Sequence, residues 1–292
     1  MDVIKKLITV SQASDASGGR KPNKPLLLLL SLSKLALDGT SELKWTEIEA
    51  KLNELLEQFG QRADERSAAY PFTLLTNDGI WHVSEGVNPN ASPKQLQTLD
   101  ASGALDSPIE NWLLVKRSNL MQAARAIAER QFPDTLIMEV LSLVGLDPYE
   151  VMSAAKYLVD GDRKRDPKWP PLILENWNFS CAFCGYDGKL NGSPVAIEAA
   201  HIHWFSSGGP DDADNGLALC SLHHKLLDRG VIGFVDQATL RVSPKFTSHA
   251  DYSPLVSDLH GLEMKPLVAS VLPKIEYINW HTANVYKHGH TA

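Results

Sequence analysis

Four residues in the second half of the chain have the types and spacing to hold a metal ion. Cys181 and Cys184 are separated by two residues, and Cys220 and His223 repeat that spacing further along. A Cys-x-x-Cys turn aims two thiolates at one centre, and a second half-site of the same kind completes the tetrahedral set of a structural zinc. The chain has three cysteines, all in this group, and an odd number so clustered speaks for metal rather than for a disulfide framework. With four protein ligands such an ion keeps no open position for chemistry. It braces a module that has little core of its own.

Between and just after the two half-sites lie EAAHIHWFSSGGPDDADNGLALC and SLHHKLLDRG. His201 ends an apolar stretch that predicts a strand, and a neutral imidazole there can take a proton from water near physiological pH. Asn215 closes the following loop, where a side-chain amide can pin backbone groups and so fix the strand that carries His201. His224 adjoins the zinc ligand His223 on a predicted helix. Neighbouring helical residues point about 100° apart, so one can face zinc and the other a cleft, where it is free to bind a catalytic divalent ion. His203 shares the strand parity of His201 but, beside Trp204, reads as structural. Asp211, Asp212 and Asp214 read as a solvated loop of turn formers rather than a calcium site.

The segment resembles the ββα-metal (HNH) endonucleases over roughly residues 166–235. The matching residues are Glu198-Ala199-Ala200-His201-Ile202, Gly208-Gly209, Asn215-Gly216-Leu217-Ala218-Leu219-Cys220, His223-His224 and Asp228-Arg229-Gly230. The resemblance implies that His201 is the general base, Asn215 the orienting residue and His224 a ligand to a catalytic metal. Mg²⁺ or Mn²⁺ suits a site of few protein ligands completed by phosphate. One position departs from the pattern. Many such enzymes place a metal-binding Asp where this chain has Ala200, and Glu198, on the same strand face, is the candidate for the missing oxygen.

These residues need elements to position them. In the second half the predicted order is helix, Cys-x-x-Cys knuckle, strand, long loop, helix, then short strands. In the first half, residues 2–12 predict a short amphipathic helix, followed by a Ser/Gly-rich loop over 14–19. Pro25 opens a Leu-rich helix to Leu37 that Asp38-Gly39 ends. Apolar positions Ile48, Leu52, Leu55, Leu56 and Phe59 predict a helix over 45–59. YPFTLLTNDGIWHV predicts two short strands joined at Asn77-Asp78-Gly79, and helices are expected over 108–130 and 133–144. The fold class is α+β: a mixed helical and short-sheet domain over 1–150, a linker over 151–165 marked by RKRDPK, and the zinc-braced domain over 166–292.

The segment RKPNKP puts Arg20, Lys21 and Lys24 just ahead of a helix start, where backbone N–H groups favour phosphate. Tyr70-Pro71-Phe72, taken alone, reads as core. With the nuclease segment, these features make the whole chain similar to HNH restriction endonucleases that recognise phosphorothioated DNA through an N-terminal sulfur-binding domain. The similarity implies that Asn23-Lys24 grips the modified backbone, where relatives often carry His-Arg. It also implies that Tyr70-Pro71 forms an apolar cup for sulfur, with Thr73 or Leu74 as a wall. Sulfur in place of a non-bridging oxygen is larger and more weakly hydrated, so an apolar cup favours it.

The formal net charge of −7 does not exclude a DNA partner, because binding depends on local patches such as Arg163/Lys164/Arg165/Lys168. No apolar run is long enough to span a bilayer, and the N-terminus lacks the order of a secretory signal, so a cytoplasmic protein is expected. The reading is therefore a modification-dependent, type IV restriction endonuclease acting on double-stranded DNA. One site per chain favours a homodimer for double-strand cutting. The rivals are a reader of methylated cytosine, which needs an aromatic cage for a flipped base, a non-specific HNH nuclease, and a non-catalytic zinc-braced DNA-binding protein. Residues 245–292, with Trp280 and Tyr286, either pack back on the nuclease domain or mediate pairing.

Overall fold

The computed structural model describes residues 2–12, 21–60, 67–159, 163–265 and 271–289. Among these, residues 2–12 and 21–159 form one compact unit and residues 163–289 form a second. No helix among the described residues is long and apolar enough to cross a membrane.

The first unit is built on its Leu-rich helix. Helix α1 (Val3–Ile8) is capped by the Asp2 side chain, and α2 runs over Asn23–Asp38. In α2 the leucines at 26–30, 32 and 35 are buried, so the helix is apolar around most of its circumference and sits in the middle of the unit. It ends at Gly39 with φ of 74°, a left-handed conformation that glycine adopts without steric cost. Strand β1 (Leu43–Lys44) leads into α3 (Trp45–Phe59), whose buried stripe is the expected one. Then follow α4 (Ala69–Leu74), β2 (Trp81–Val83), α5 (Pro93–Thr98), β3 (Ser102–Leu105), α6 (Ser107–Val115), α7 (Arg117–Gln131), α8 (Asp134–Leu143) and α9 (Pro148–Ser153). The three strands form an antiparallel sheet in the order β1-β3-β2.

Three expectations are corrected here. YPFTLL is helix α4, not a strand, and Leu75–Asp78 continue it as a 3-10 turn that Gly79 ends at φ of 64°. The cause is tertiary. Phe72 is fully buried edge-on between Trp45 and Trp81, at ring distances of 5.3 and 6.1 Å, and Trp81 Nε1 donates to the Phe72 carbonyl. Pro71 falls in the first helical turn, where a missing N–H costs nothing. The helix expected over 108–130 breaks at Lys116, which is extended (φ −145°, ψ 133°). The stretch read as linker from residue 151 begins instead within α9. Arg125 donates to the Met152 and Ala154 carbonyls, and Tyr157 donates to Asp2, so this segment packs on the first unit.

The second unit opens with α10 (Trp169–Asn176) and a short hairpin of β4 (Lys189–Leu190) and β5 (Ser193–Pro194). Strand β6 (Ile197–His201) pairs antiparallel with β7 (Gly216–Cys220), in a register that sets His201 opposite Gly216 and Ile197 opposite Cys220. The strand β7 was absent from the predicted element order. Its five residues follow the loop directly, and pairing with β6 decides their conformation. Helix α11 (Ser221–Asp228) starts as β7 ends, a ββα sequence in which α10 and α11 both pack on the strand pair. Strands β8 (Ile232–Phe234) and β9 (Leu240–Val242) form a hairpin, and α12 (Ile275–Asn284) packs against β8. Trp169, Ile173, Trp177, Phe183, Ala200 and Leu217 belong to the buried core beneath the strands.

Candidate active site and metal centre

Cys181, Cys184, Cys220 and His223 converge, with their ligand atoms all within 4.8 Å of one another. The knuckle reaches this place because Ala182 N donates to the Ala218 carbonyl, which ties it to β7 two residues before Cys220. His223 Nδ1 lies 3.4 Å from Cys181 Sγ and 3.2 Å from Cys220 Sγ. Its Nε2 donates to the Leu255 carbonyl at 2.8 Å, which fixes the tautomer and leaves the Nδ1 lone pair directed at the sulfurs. Hydrogen bonds from Cys184 and Cys220 hold the Cys181 thiol far below the usual thiol range. Three sulfurs and one oriented imidazole nitrogen fit a structural zinc in number and type.

His201 sits at the end of β6 with Trp169 stacked on its ring at 3.7 Å and 11°. Its Nε2 donates to Asp211 Oδ1 at 2.8 Å, and this pair is largely buried. Asp211 is held in turn by the Asp166 backbone N–H on Oδ2 at 2.7 Å. With Nε2 committed, Nδ1 is the atom left to accept a proton. Burial pushes the imidazole down to about 4 while Asp211 opposes the shift, so the ring is neutral near neutral pH. The acidic loop is thus no solvated turn. Asp211 holds His201, Asp212 accepts from Tyr277 and, through its carbonyl, from Trp169, and Asp214 pairs with Lys274. Spacing alone gave no signal for Asp211. A carboxylate-imidazole contact across ten residues of loop appears only once the loop folds back.

Glu198 and His224 also meet, with Oε2 and Nδ1 2.7 Å apart. The bond to His224 lowers the Glu198 carboxyl from its usual value. Asp228, one turn further along α11, lies 3.4 Å from His224 Nε2 and accepts from Trp204 Nε1 at 2.8 Å. Ala200 is fully buried in the core, whereas Glu198 on the same strand face reaches the histidine. Each nitrogen of the His224 ring thus faces one carboxylate, Nδ1 toward Glu198 and Nε2 toward Asp228, and imidazole and carboxylate are the donor types a divalent ion takes.

Asn215 is fully buried and makes three bonds to the loop: Oδ1 accepts from His203 N–H, and Nδ2 donates to the His203 and Pro210 carbonyls. The glycine pair matters to the same loop. Gly208 has φ of 100°, and a Cβ on Gly209 would come within 1.8 Å of the His203 carbonyl oxygen. Asn215→Ala strands three buried polar groups, so a loss of about 3 kcal/mol is expected. In thermal unfolding this appears as a fall in Tm of about 11 °C for the second unit.

His203 stacks on Trp280 at 4.1 Å, with its Nε2 by the Ser207 carbonyl, a structural placement. The C-terminal segment packs back on the second unit. Besides the contacts of Leu255, Tyr277 and Trp280, His281 donates to the Leu227 carbonyl in α11.

In the first unit the sulfur-site candidates are spread over α2 and α4, which pack together. Tyr70 is 41% exposed, Pro71 and Thr73 are buried, and Leu74 is half-buried. Thr73 Oγ1 is committed to the Ala69 and Pro89 carbonyls. Lys24 departs from expectation: its ammonium is paired with Asp78 at 2.5 Å and donates to Ser11, so it ties α2 to the turn after α4. The side chain takes this role because a largely buried cation needs a partner of opposite charge. Asn23 is half-buried in the first turn of α2, Lys21 is exposed, and Arg20 lies outside the described residues.

Residues 1–149 match the family described as ScoMcrA-like, DNA sulfur-binding domain, and residues 181–235 match the HNH endonuclease family. Among solved structures, the chain is 22% identical to the sulfur binding domain of ScoMcrA complexed with phosphorothioated DNA, covering 51% of this chain and 98% of that one, with a TM-score of 0.43. It is 19% identical to the corresponding domain of SprMcrA in such a complex, covering 49% and 93%, with a TM-score of 0.39. Against the type IV phosphorothioation-dependent restriction endonuclease ScoMcrA the identity is 22% over 56% of this chain and 33% of that chain, with a TM-score of 0.43. No curated protein matches the chain.

Proposed function

We propose, for a chain that belongs to the ScoMcrA-like DNA sulfur-binding family and carries an HNH endonuclease domain, that it binds phosphorothioated duplex DNA and hydrolyses phosphodiester bonds nearby. The observation that carries this reading is the oriented, neutral His201 on the same strand as the Glu198–His224 pair, in a chain whose other half is a sulfur-binding domain.

The hydrolysis follows from the residues. His201 Nδ1 takes a proton from water as the water oxygen bonds to phosphorus and the opposite P–O bond breaks. Asp211 keeps the ring in the tautomer that makes Nδ1 the base and stabilises the imidazolium that forms. Trp169 fixes the ring plane and shields it from bulk water. Asn215 holds the loop that carries Asp211. His224 and Glu198, with Asp228 behind them, are the residues that would hold Mg²⁺ or Mn²⁺, and such an ion would supply charge stabilisation to the departing oxygen. Two chains, or two successive nicks, complete a double-strand cut.

In the first unit Tyr70 presents the exposed apolar surface that a weakly hydrated sulfur would favour, with Asn23 and Lys21 as the groups to hold the phosphate charge. Tyr70→Ala is expected to reduce the preference for phosphorothioated over plain duplex about tenfold, roughly 1.4 kcal/mol, in paired binding titrations. The function itself is tested with phosphorothioated and unmodified plasmid, each incubated with and without Mg²⁺ or Mn²⁺. Cutting confined to the modified plasmid with metal is the expected result. Equal cutting of both plasmids would remove the sulfur dependence.

A further inference from the structure

The basic run Arg163, Lys164, Arg165 and Lys168 has no part in the zinc site, the His201 dyad or the Glu198–His224 pair. All four residues are exposed, yet the Arg163 side chain and the Asp166 backbone fasten their segment to the catalytic loop. Arg163 Nη2 donates to the Gly209 carbonyl at 2.6 Å, and its guanidinium lies 4.2 Å from the centroid of the Phe205 ring. Arg165 lies over the same ring at 5.3 Å. Phe205 is itself a neighbour of the His201 ring, at 5.9 Å. Directly after Arg165, Asp166 contributes its N–H to Asp211, and Trp169, three residues further, stacks on His201. The positive charge of Arg165 reaches His201 and helps keep it neutral.

From this we infer that residues 163–168 form a phosphate-binding strip that grips the backbone of the DNA strand being cut, with Arg163 as its anchor and Lys164, Arg165 and Lys168 as its cationic contacts. Lys164 and Lys168 carry no ion pair among the described residues, so an incoming phosphate displaces no internal partner from them. An exposed guanidinium or ammonium meets a phosphodiester at little desolvation cost and releases a condensed counterion. Two guanidinium groups held against one aromatic ring are pre-ordered for such contacts. The strip supplies the local positive charge that a chain of net charge −7 needs beside a cutting centre. The inference rests on the reading of His201 as that centre.

The test uses the full chain with zinc bound and no added Mg²⁺ or Mn²⁺, so that binding is read without cleavage. Affinity for an unmodified duplex is measured against salt for the wild type, for Lys164→Ala/Arg165→Ala/Lys168→Ala, and for the charge-preserving Lys164→Arg/Arg165→Lys/Lys168→Arg. Each lost phosphate contact lowers the slope of log affinity against log salt by about 0.9, so a reduction of about 2 to 3 is expected for the alanine variant. The charge-preserving variant should keep the wild-type slope. Zinc content and thermal unfolding matched to the wild type exclude a misfolded variant. A slope unchanged in the alanine variant overturns the strip, and so does an equal loss in both variants. Cleavage of phosphorothioated duplex by the wild type, measured separately with Mg²⁺, tests the functional reading, so the two can fail independently.

Discussion

His201→Ala is expected to lower the rate of phosphorothioated-DNA cleavage by about 10²- to 10⁴-fold, the contribution of a positioned general base. Binding of the modified duplex and the zinc content should stay at wild-type levels, because His201 belongs to the second unit and is not one of the four converging Cys and His ligands. Single-turnover cleavage with protein in excess isolates the chemical step. A variant that cuts at the wild-type rate would dismiss His201 as the base. The companion change, Asp211→Asn, separates orientation from mere presence of the ring. It removes the group that opposes burial, so the His201 value moves further below about 4. A weaker base in a less certain tautomer should cost on the order of tenfold at pH 7.

The pH profile carries the sign. Catalysis needs the neutral ring, so in the wild type activity is present above about pH 4 and lost as pH falls through that value. In Asp211→Asn the acid limb shifts to lower pH, while the plateau drops. Stability runs in the same direction. The folded value lies below the ordinary 6.5, so the unfolded chain binds more protons between the two. The His201 contribution to stability is full above about 6.5 and declines as pH falls toward 4. Rates below pH 5 therefore need a parallel check that the second unit is folded.

The other large effect concerns the metal centre. Cys181→Ser places a hydroxyl where a fully buried thiolate faces the zinc donors, and the second unit is expected to lose its cooperative unfolding transition. Structural zinc contributes an apparent ~10–16 kcal/mol, which equals or exceeds the whole stability of a typical domain. Elemental analysis should give one zinc per wild-type chain and close to none in the variant. Phosphorothioate binding by the first unit should survive, since the knuckle belongs to the second compact unit. A Cys181→Ser protein that kept its zinc and its melting transition would show that the four residues are a buried thiol cluster and no more.

The two halves differ in how much their residues announce. The convergence of Cys181, Cys184, Cys220 and His223 and the loop-pinning place of Asn215 were legible because their chemistry fixes residue type and spacing: a tetrahedral ion needs four soft or borderline ligands, and a loop pinned by an amide needs that amide at its end. The Leu-rich helix was legible down to its Gly39 stop, because burial all around and a left-handed cap leave few alternatives. By contrast, YPFTLL suits a strand or a helix equally by composition, and only the packing of Phe72 between Trp45 and Trp81 chose the helix. Lys24 looked like a phosphate ligand by its place before a helix. Its pairing with Asp78, 54 residues away, has no trace in the local pattern.

The amino-acid sequence by itself determined the Cys181, Cys184, Cys220 and His223 group and the helix that carries His223 and His224, since each depends on residues close together in the chain or on types that few other roles require. Only the tertiary structure decided that Asp211 orients His201, that Trp169 stacks on it, that Glu198 rather than residue 200 meets His224, and that the C-terminal helix braces the site. Those contacts join positions between ten and about eighty residues apart, and they form because folding the loop and burying the aromatic rings bring together groups that no periodicity connects.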